Sequence, residues 1–349
     1  MVENERSNVP SAEFHNEQLR RFTRETLRAK QAGTFDIGLL NKKIVQGKRV
    51  IALDLGGSNL RYAEFTVGSN MELCKTEAFT FSSENGEKYL NFLRDVGEFA
   101  QENSLPVGIS TTGIVEGTRL RSSTHLKKLI EDLSDVQGDF SSIIPNLKSA
   151  SNDGVAGAIG SYAELLRKFP AIKQVIYFIN GTGLGAAVIQ EGKIWSTEPG
   201  HIETTDALNA HKRKELCVLA GAETSCLHLT ASGHGIEDTY FKITGKKATG
   251  IELSKLAQNG DETAQQLLRN SAGLVAITLE GIMNSFQMEK SPEDTAVIFH
   301  GGIFNTFEYN DYLKQSLRTN LANAPQLIFP NNEEENFCLI GAALTALAI

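Results

Sequence analysis

The period of apolar and polar positions changes several times along the chain, and each change predicts an element. Residues 50–55 (VIALDL), 60–67 (LRYAEFTV) and 72–81 (ELCKTEAFTF) are short, rich in β-formers and only a few positions apart. That spacing predicts three successive strands joined by hairpins, each antiparallel to the next. From Lys88 to Asn103 the period lengthens, and Tyr89, Phe92, Leu93, Val96 and Phe99 share one face of an amphipathic helix. A strand over Val107–Thr111 follows. A helix is then expected over Gly154–Phe169, with Gly154, Gly157 and Gly160 in its first turns. Glycine at that spacing weakens a helix but lets a second backbone approach closely.

The pattern then restarts. Residues 175–196 (VIYFINGTGLGAAVIQEGKIWS) read as strand, glycine-rich tip, strand and a third short strand. Residues 50–67 (VIALDLGGSNLRYAEFTV) have the same layout, which predicts an internal duplication of a strand-rich unit. Helices over Gly250–Asn259 and Asp261–Phe286 come next. Strands at 296–302 (AVIFHGG) and 326–330 (QLIFP) and a closing small-residue helix over Cys338–Ala348 complete the chain. The expected architecture is two α/β domains facing each other across a cleft, one formed by residues 49–150 with 336–349 and the other by 151–335. Residues 1–48 form a polar leader. Within it Glu13–Gln31 has helical character, with Leu19, Phe22 and Leu27 as apolar points, and is expected as a surface helix packed on the main body. It is too short and too poor in apolar residues for a complete winged DNA-binding domain.

Composition narrows the function. The chain has 349 residues and a formal net charge of −8, a balance that disfavours a nucleic-acid partner. Cys74, Cys217, Cys226 and Cys338 are scattered, which suits a reducing compartment. The N-terminus has no apolar signal-peptide core and the apolar runs are too short to span a bilayer. A cytoplasmic protein with no membrane partner is expected.

The candidate chemistry lies at the two tips, Gly56–Gly57–Ser58–Asn59 and Gly181–Thr182–Gly183. Bare backbone presents N–H groups to anionic oxygen. Ser58, Asn59 and Thr182 add side-chain donors, and Arg61 adds a cation. Asp54 stands beside this cradle, where a carboxylate would repel phosphate directly. A Mg²⁺ ion resolves that conflict by bridging carboxylate and phosphate through its own waters. Each tip alone is equally a plain tight hairpin; two matching tips with an acid and a cation attached favour a phosphate cradle. The chain has no Gly-Lys-Ser/Thr phosphate loop, and DLGGSN leads into a strand, unlike a dinucleotide fingerprint. Asn152 and Asp153 precede the glycine-marked helix. They suit helix N-caps, and Asp153 also suits a proton acceptor for a hydroxyl attacking a γ-phosphate. Its position at the exposed mouth of a helix is expected to lower its pKa. In TEPGHIETT, Glu198 and His201 are either polyol partners or solvated loop residues.

Taken in order, these stretches resemble the ROK family of sugar kinases and regulators, from about residue 50 to the C-terminus. DLGGSNLR and GTGLGAAVI resemble its two phosphate loops. GISTTGIVEG resembles a segment that borders the sugar, with Thr112 where proline is usual, followed by Gly113. SNDGVAGAIGS resembles the catalytic-base segment, EPGH the sugar-binding Glu-x-Gly-His, FHGGIFNT the adenosine motif and LIGAALTAL the closing helix. The resemblance implies two ribonuclease H-like domains of the actin-like ATPase type, with ATP and Mg²⁺ as cofactors. It implies Asp153 as base, Asn152, Glu198 and His201 around a small-molecule sugar, and adenosine against Gly301 and Gly302. His228 stands where the family often carries a sugar-binding Glu. Family members often bind zinc through the motif histidine and three nearby cysteines. Here His201, His211, Cys217 and Cys226 could make a four-ligand site, but their spacing is not a recognised zinc pattern and zinc is not expected. The implied activity is ATP-dependent phosphorylation of a hexose or N-acetylhexosamine, glucokinase-like, by a possible homodimer. The alternatives are a non-catalytic sugar-sensing regulator on the same scaffold and a kinase for another small molecule, such as acetate.

Overall fold

A computed structural model of the chain describes residues 19–34, 44–56, 59–69, 72–82, 86–123, 126–133, 138–204, 215–217, 222–288, 291–320, 325–330 and 336–348. Numbered in chain order, the strands of one sheet are β2 (Arg49–Leu55), β3 (Asn59–Val67), β4 (Leu73–Ser82), β5 (Val107–Thr111) and β8 (Leu147–Asn152). Those of the other are β1 (Lys30–Thr34), β9 (Gln174–Asn180), β10 (Leu184–Gln190), β11 (Lys193–Thr197), β14 (Thr295–His300) and β15 (Gln326–Ile328). Two small hairpins, β6 (Ile114–Glu116) with β7 (Arg119–Ser122) and β12 (Glu215–Cys217) with β13 (Ala222–Thr224), stand apart. The helices are α1 (Gly86–Glu102), α2 (Lys127–Asp132), α3 (Asp153–Lys168), α4 (His228–Ala231), α5 (Gly233–Thr244), α6 (Gly250–Gln258), α7 (Glu262–Ser285), α8 (Phe307–Asn320) and α9 (Phe337–Ala348).

The duplication expected from the sequence is visible in the sheet topology. The first sheet runs β4-β3-β2-β5-β8 and the second β1-β11-β10-β9-β14-β15. In each, three strands form an antiparallel meander whose first strand pairs in parallel with a later strand, and that strand pairs in parallel with one more. The mixed α/β architecture is that of the expected two-domain fold. The second sheet has one strand without a counterpart in the first: β1, from the leader, lies antiparallel on the β11 edge.

Between the sheets lies a shared core. It takes residues from β2, β3, β9 and β10 and from the helix pair α3 and α9. Gly160 and Gly341 carry that helix pair: a Cβ at Gly160 would collide with the Phe337 carbonyl, and one at Gly341 with the Ala156 carbonyl. Gly157 leaves room for the Tyr177 ring. The glycines of α3 thus exchange helix propensity for close packing, as their spacing predicts.

The leader departs from expectation. Of the helix expected over Glu13–Gln31, residues 13–18 lie outside the described residues and Leu19 is helical, but residues 20–28 run largely as turns and residues 30–34 form a strand. Leu19, Phe22 and Leu27 do face the body, yet a chain of turns brings them there. Residues 1–18 lie outside the described residues, as do 35–43. Among the described residues, no helix is long and apolar enough to cross a membrane.

Candidate active site

Strand ends from both sheets open onto one cleft of about 670 Å³. The first sheet, its connecting turns and the start of α3 contribute Asp54, Gly56, Asn59, Arg61, Thr112, Gly113, Asn152 and Asp153 to its wall. The second sheet and the turns and helices after it contribute Gly181, Thr182, Gly183, Glu198, His201, His228, Gly301 and Gly302. Every described residue marked in the sequence for phosphate, sugar or base therefore lines this cavity, and of the described metal candidates His201 and Cys217 line it while Cys226 does not. Gly57, Ser58 and His211 lie outside the described residues.

At the first tip, β2 ends in a buried acid. The antiparallel register sets Asp54 opposite Arg61, and the Arg61 Nη1 donates to Asp54 Oδ2 at 2.9 Å. The parallel register with β5 sets Ser110 opposite Asp54, and the Ser110 hydroxyl donates to Oδ1 at 2.9 Å. Each carboxylate oxygen thus has a donor, as a buried charge needs. The hairpin closes through the Gly56 N–H, which donates to the Asn59 carbonyl at 2.9 Å. Arg61 is shared: it neutralises Asp54 and still borders the cleft.

Across from it stands the start of α3. Asn152 is the N-cap: its Oδ1 accepts from the Gly154 N–H at 2.9 Å, while its Nδ2 donates to the Gly113 carbonyl at 3.0 Å. One amide therefore ties the helix start to the turn after β5. Gly113 has φ +112, and a Cβ there would collide with the Ser122 carbonyl, so the turn requires glycine. The next residue, Asp153, overturns an expectation. A helix N-terminus lowers an acid's pKa, and the Gly154 N–H does donate to Asp153 Oδ1 at 2.8 Å. Burial outweighs it, with the Asp54 charge adding to burial, and together they push Asp153 up to about 7. The side chain lies within the cleft wall, not at an exposed mouth.

The second tip is held by Asn180. Its buried side chain donates to the Ala231 carbonyl at 3.0 Å and accepts from the Gly233 N–H at 2.9 Å. This fastens the end of β9 to the start of α5, where Ser232 caps the helix by accepting from the Gly235 N–H. Tip and helix N-terminus thus share one wall of the cleft, an arrangement suited to anionic oxygen. Gly301 follows β14 with φ +126, and a Cβ there would strike the Asn180 carbonyl.

After β11 a short 3-10 turn, Pro199–His201, carries the remaining candidates. Burial pushes Glu198 up to about 7, the Asp153 charge pushes the same way, and the Arg28 charge opposes both. The His201 and His228 rings lie 5.2 Å apart, and His228 Nδ1 is 3.0 Å from the Gly200 carbonyl oxygen. The pairing of β12 with β13 also brings Cys217 to His201, with Nδ1 to Sγ at 3.2 Å. His201, Cys217 and Cys226 offer ligand atoms within 4.8 Å of one another, a group that could hold a soft-ligand metal ion. The sequence marked these three residues together with His211, which lies outside the described residues; their spacing matches no zinc pattern because a hairpin assembles the group.

Ser110 and His300 were not singled out in the sequence. Ser110 reaches Asp54 only through the parallel register. His300 is buried beside the cleft and stacked on Tyr177 at 5.6 Å, and its Nδ1 has no hydrogen-bond partner among the described residues. Burial drives its pKa down to about 4, so the ring is neutral at pH 7. A histidine directly before the Gly-Gly pair was its only trace in the sequence.

Known proteins resemble this chain over most of its length. The family model described as the ROK family matches residues 50–349. An N-acetylmannosamine kinase of Escherichia coli is 27% identical over 313 residues, spanning 85% of this chain and 98% of that protein. An N-acetyl-D-glucosamine kinase of Haemophilus influenzae is 25% identical over 275 residues, 74% of this chain and 84% of that one. Among solved structures, a ROK family glucokinase from Streptomyces griseus, in complex with glucose and AMPPNP, superposes with a TM-score of 0.61. It is 20% identical, and the match covers 84% of this chain and 98% of that one.

Proposed function

The chain belongs to the ROK family, and from that premise we propose that it is an ATP-dependent sugar kinase phosphorylating a hydroxyl of a hexose or N-acetylhexosamine. One observation carries the reading. Asp153, held near 7, stands in a cleft whose opposite wall is the second glycine tip and whose near wall holds Asp54 and Arg61. A base with a pKa near the working pH is well matched to taking a proton from an alcohol.

The roles follow from position. Backbone N–H groups of the two tips, with Thr182 and Asn59, hold the phosphate chain, and Arg61 turns toward the transferring group. Gly301 and Gly302 leave room for adenosine beside β14. Glu198, Asn152, His201 and His228 hold the sugar hydroxyls. Asp153 orients the acceptor hydroxyl, at C6 of the ring in our reading, and takes its proton as the oxygen attacks the γ-phosphorus in line. Asp54 suits a hard divalent cation such as Mg²⁺: its carboxylate is a hard oxygen ligand, and each oxygen accepts one hydrogen bond and keeps a lone pair for metal-bound water. When bound, that ion would neutralise phosphate charge. Closure of the two domains over the cleft would exclude water and suppress ATP hydrolysis. The two relatives named above are N-acetylhexosamine kinases, so these sugars join glucose as the first candidates.

The test is a panel of glucose, N-acetylglucosamine, N-acetylmannosamine and fructose with ATP and Mg²⁺, read by coupled ADP release. Sugar-dependent ADP release is expected. Sugar binding by calorimetry without turnover on any of the four would contradict a kinase and support a sugar-sensing regulator.

A further inference from the structure

The family model begins at residue 50, yet residues 19–34 are built into the second domain. Phe22 and Leu27 are buried in its core. Phe22 lies against Gly281 of α7, where a Cβ would collide with its ring, and the Ser285 hydroxyl donates to its carbonyl at 2.6 Å. Arg24 donates to the Ser285 carbonyl at 3.2 Å and lies over the Phe286 ring, 4.5 Å from its centroid. On the other side β1 extends the sheet, with Lys30 opposite Ser196. Both ends of the segment are therefore fixed.

What they fix between them is the acceptor pocket. At Arg28 the backbone takes φ 50, a left-handed turn that a non-glycine residue adopts only where its surroundings enforce it. Just before that turn the Leu27 carbonyl accepts the N–H of Glu198 at 2.8 Å. The turn also places the Arg28 charge near enough to the Glu198 side chain to oppose the effects of burial and of the Asp153 charge. Glu198 begins the short turn that carries His201, so whatever fixes its backbone also sets the direction of the next three residues.

We propose that Leu27 and Arg28 are positioning residues for the acceptor site: the leader is a strap that holds Glu198 from behind through a main-chain hydrogen bond and an arginine. The inference rests on the sugar-kinase reading for its kinetic consequence. The preorganised acid costs the incoming sugar less ordering, so loss of the strap appears in sugar binding and not in nucleotide binding.

The test compares Arg28→Ala and Arg28→Lys with the parent chain. Arg28→Ala should raise the KM for the preferred sugar roughly tenfold, the scale of losing a nearby opposite charge at a largely buried acid. The KM for ATP and kcat should stay within about twofold, and Arg28→Lys should recover most of the loss. Hydrogen exchange of the amides of residues 197–203 supplies a second readout that needs no turnover, and faster exchange is expected in Arg28→Ala. Should Arg28→Ala fail to fold by circular dichroism, Arg28→Gln is measured in its place with the same expectations. A sugar KM unchanged in a folded variant overturns the inference, as does a KM for ATP that rises in step. If the parent releases no ADP with any sugar, the kinase reading fails on its own, and unchanged exchange at 197–203 then overturns the strap separately.

Discussion

Replacing Asp153 by Asn should make the chain more stable in alkaline buffer. The folded protein holds this acid at about 7 against an ordinary value of 3.8, because burial and Asp54 both disfavour its ionised form. A raised acid gives stability that is fully present below the unfolded value and is lost as pH rises through the folded one. Three units at about 1.36 kcal/mol each come to about 4 kcal/mol lost by pH 8. Asparagine is neutral throughout and keeps an Oδ1 for the Gly154 N–H. Relative to the parent, the variant should gain about 1.5 kcal/mol at pH 5 and about 4 kcal/mol at pH 8, as the same linkage gives. Urea unfolding at the two pH values measures both gains. Equal gains, or a parent that is the more stable at pH 8, would refute the burial argument. The expected pattern is a chain that sacrifices stability at the position where it needs a base, a recurring feature of active sites.

Three further outcomes follow from the same geometry. The acid limb of the pH profile of kcat/KM should have its midpoint near 7, so that activity at pH 5 is at most roughly a hundredth of the plateau; a profile flat to pH 5 contradicts it. Glu198 also sits near 7, and an active form with both acids ionised makes that limb approach a slope of two well below 7, so Glu198→Gln should reduce the slope to one. Gly301→Ala, which forces a Cβ onto the Asn180 carbonyl at a positive φ, should weaken ATP-analogue binding at least tenfold by calorimetry while the sugar KM changes little.

The sequence revealed most of the scaffold because its signals are local. Residues 50–67 and 175–196 announce their strands and tips by period and by glycine, and the two sheets follow from their repetition. The glycines of α3 announced a close neighbour without naming it; Gly341 supplies it from the far end of the chain. Signals that depend on distant residues were misread or missed. Phe22 and Leu27 have spacings compatible with a helix, but their burial comes from α7, and the chain reaches it by turns. The helix dipole at Asp153 is a local effect and was visible in sequence, whereas the burial that outweighs it belongs to the whole cleft. Ser110 depends on β2–β5 register, and the His201–Cys217–Cys226 cluster on the β12–β13 hairpin. Ser110 leaves no trace in linear spacing, and the three ligand residues were marked only through the family resemblance, since their spacing matches no zinc pattern.

The most direct test of the account is turnover by Asp153→Ala, with sugar binding measured on the same preparation. A loss of 10²–10⁴-fold in kcat, the usual yield of a positioned base, is expected with sugar affinity retained. Turnover near that of the parent would show that another group accepts the hydroxyl proton and would contradict the assignment of this cleft's central acid.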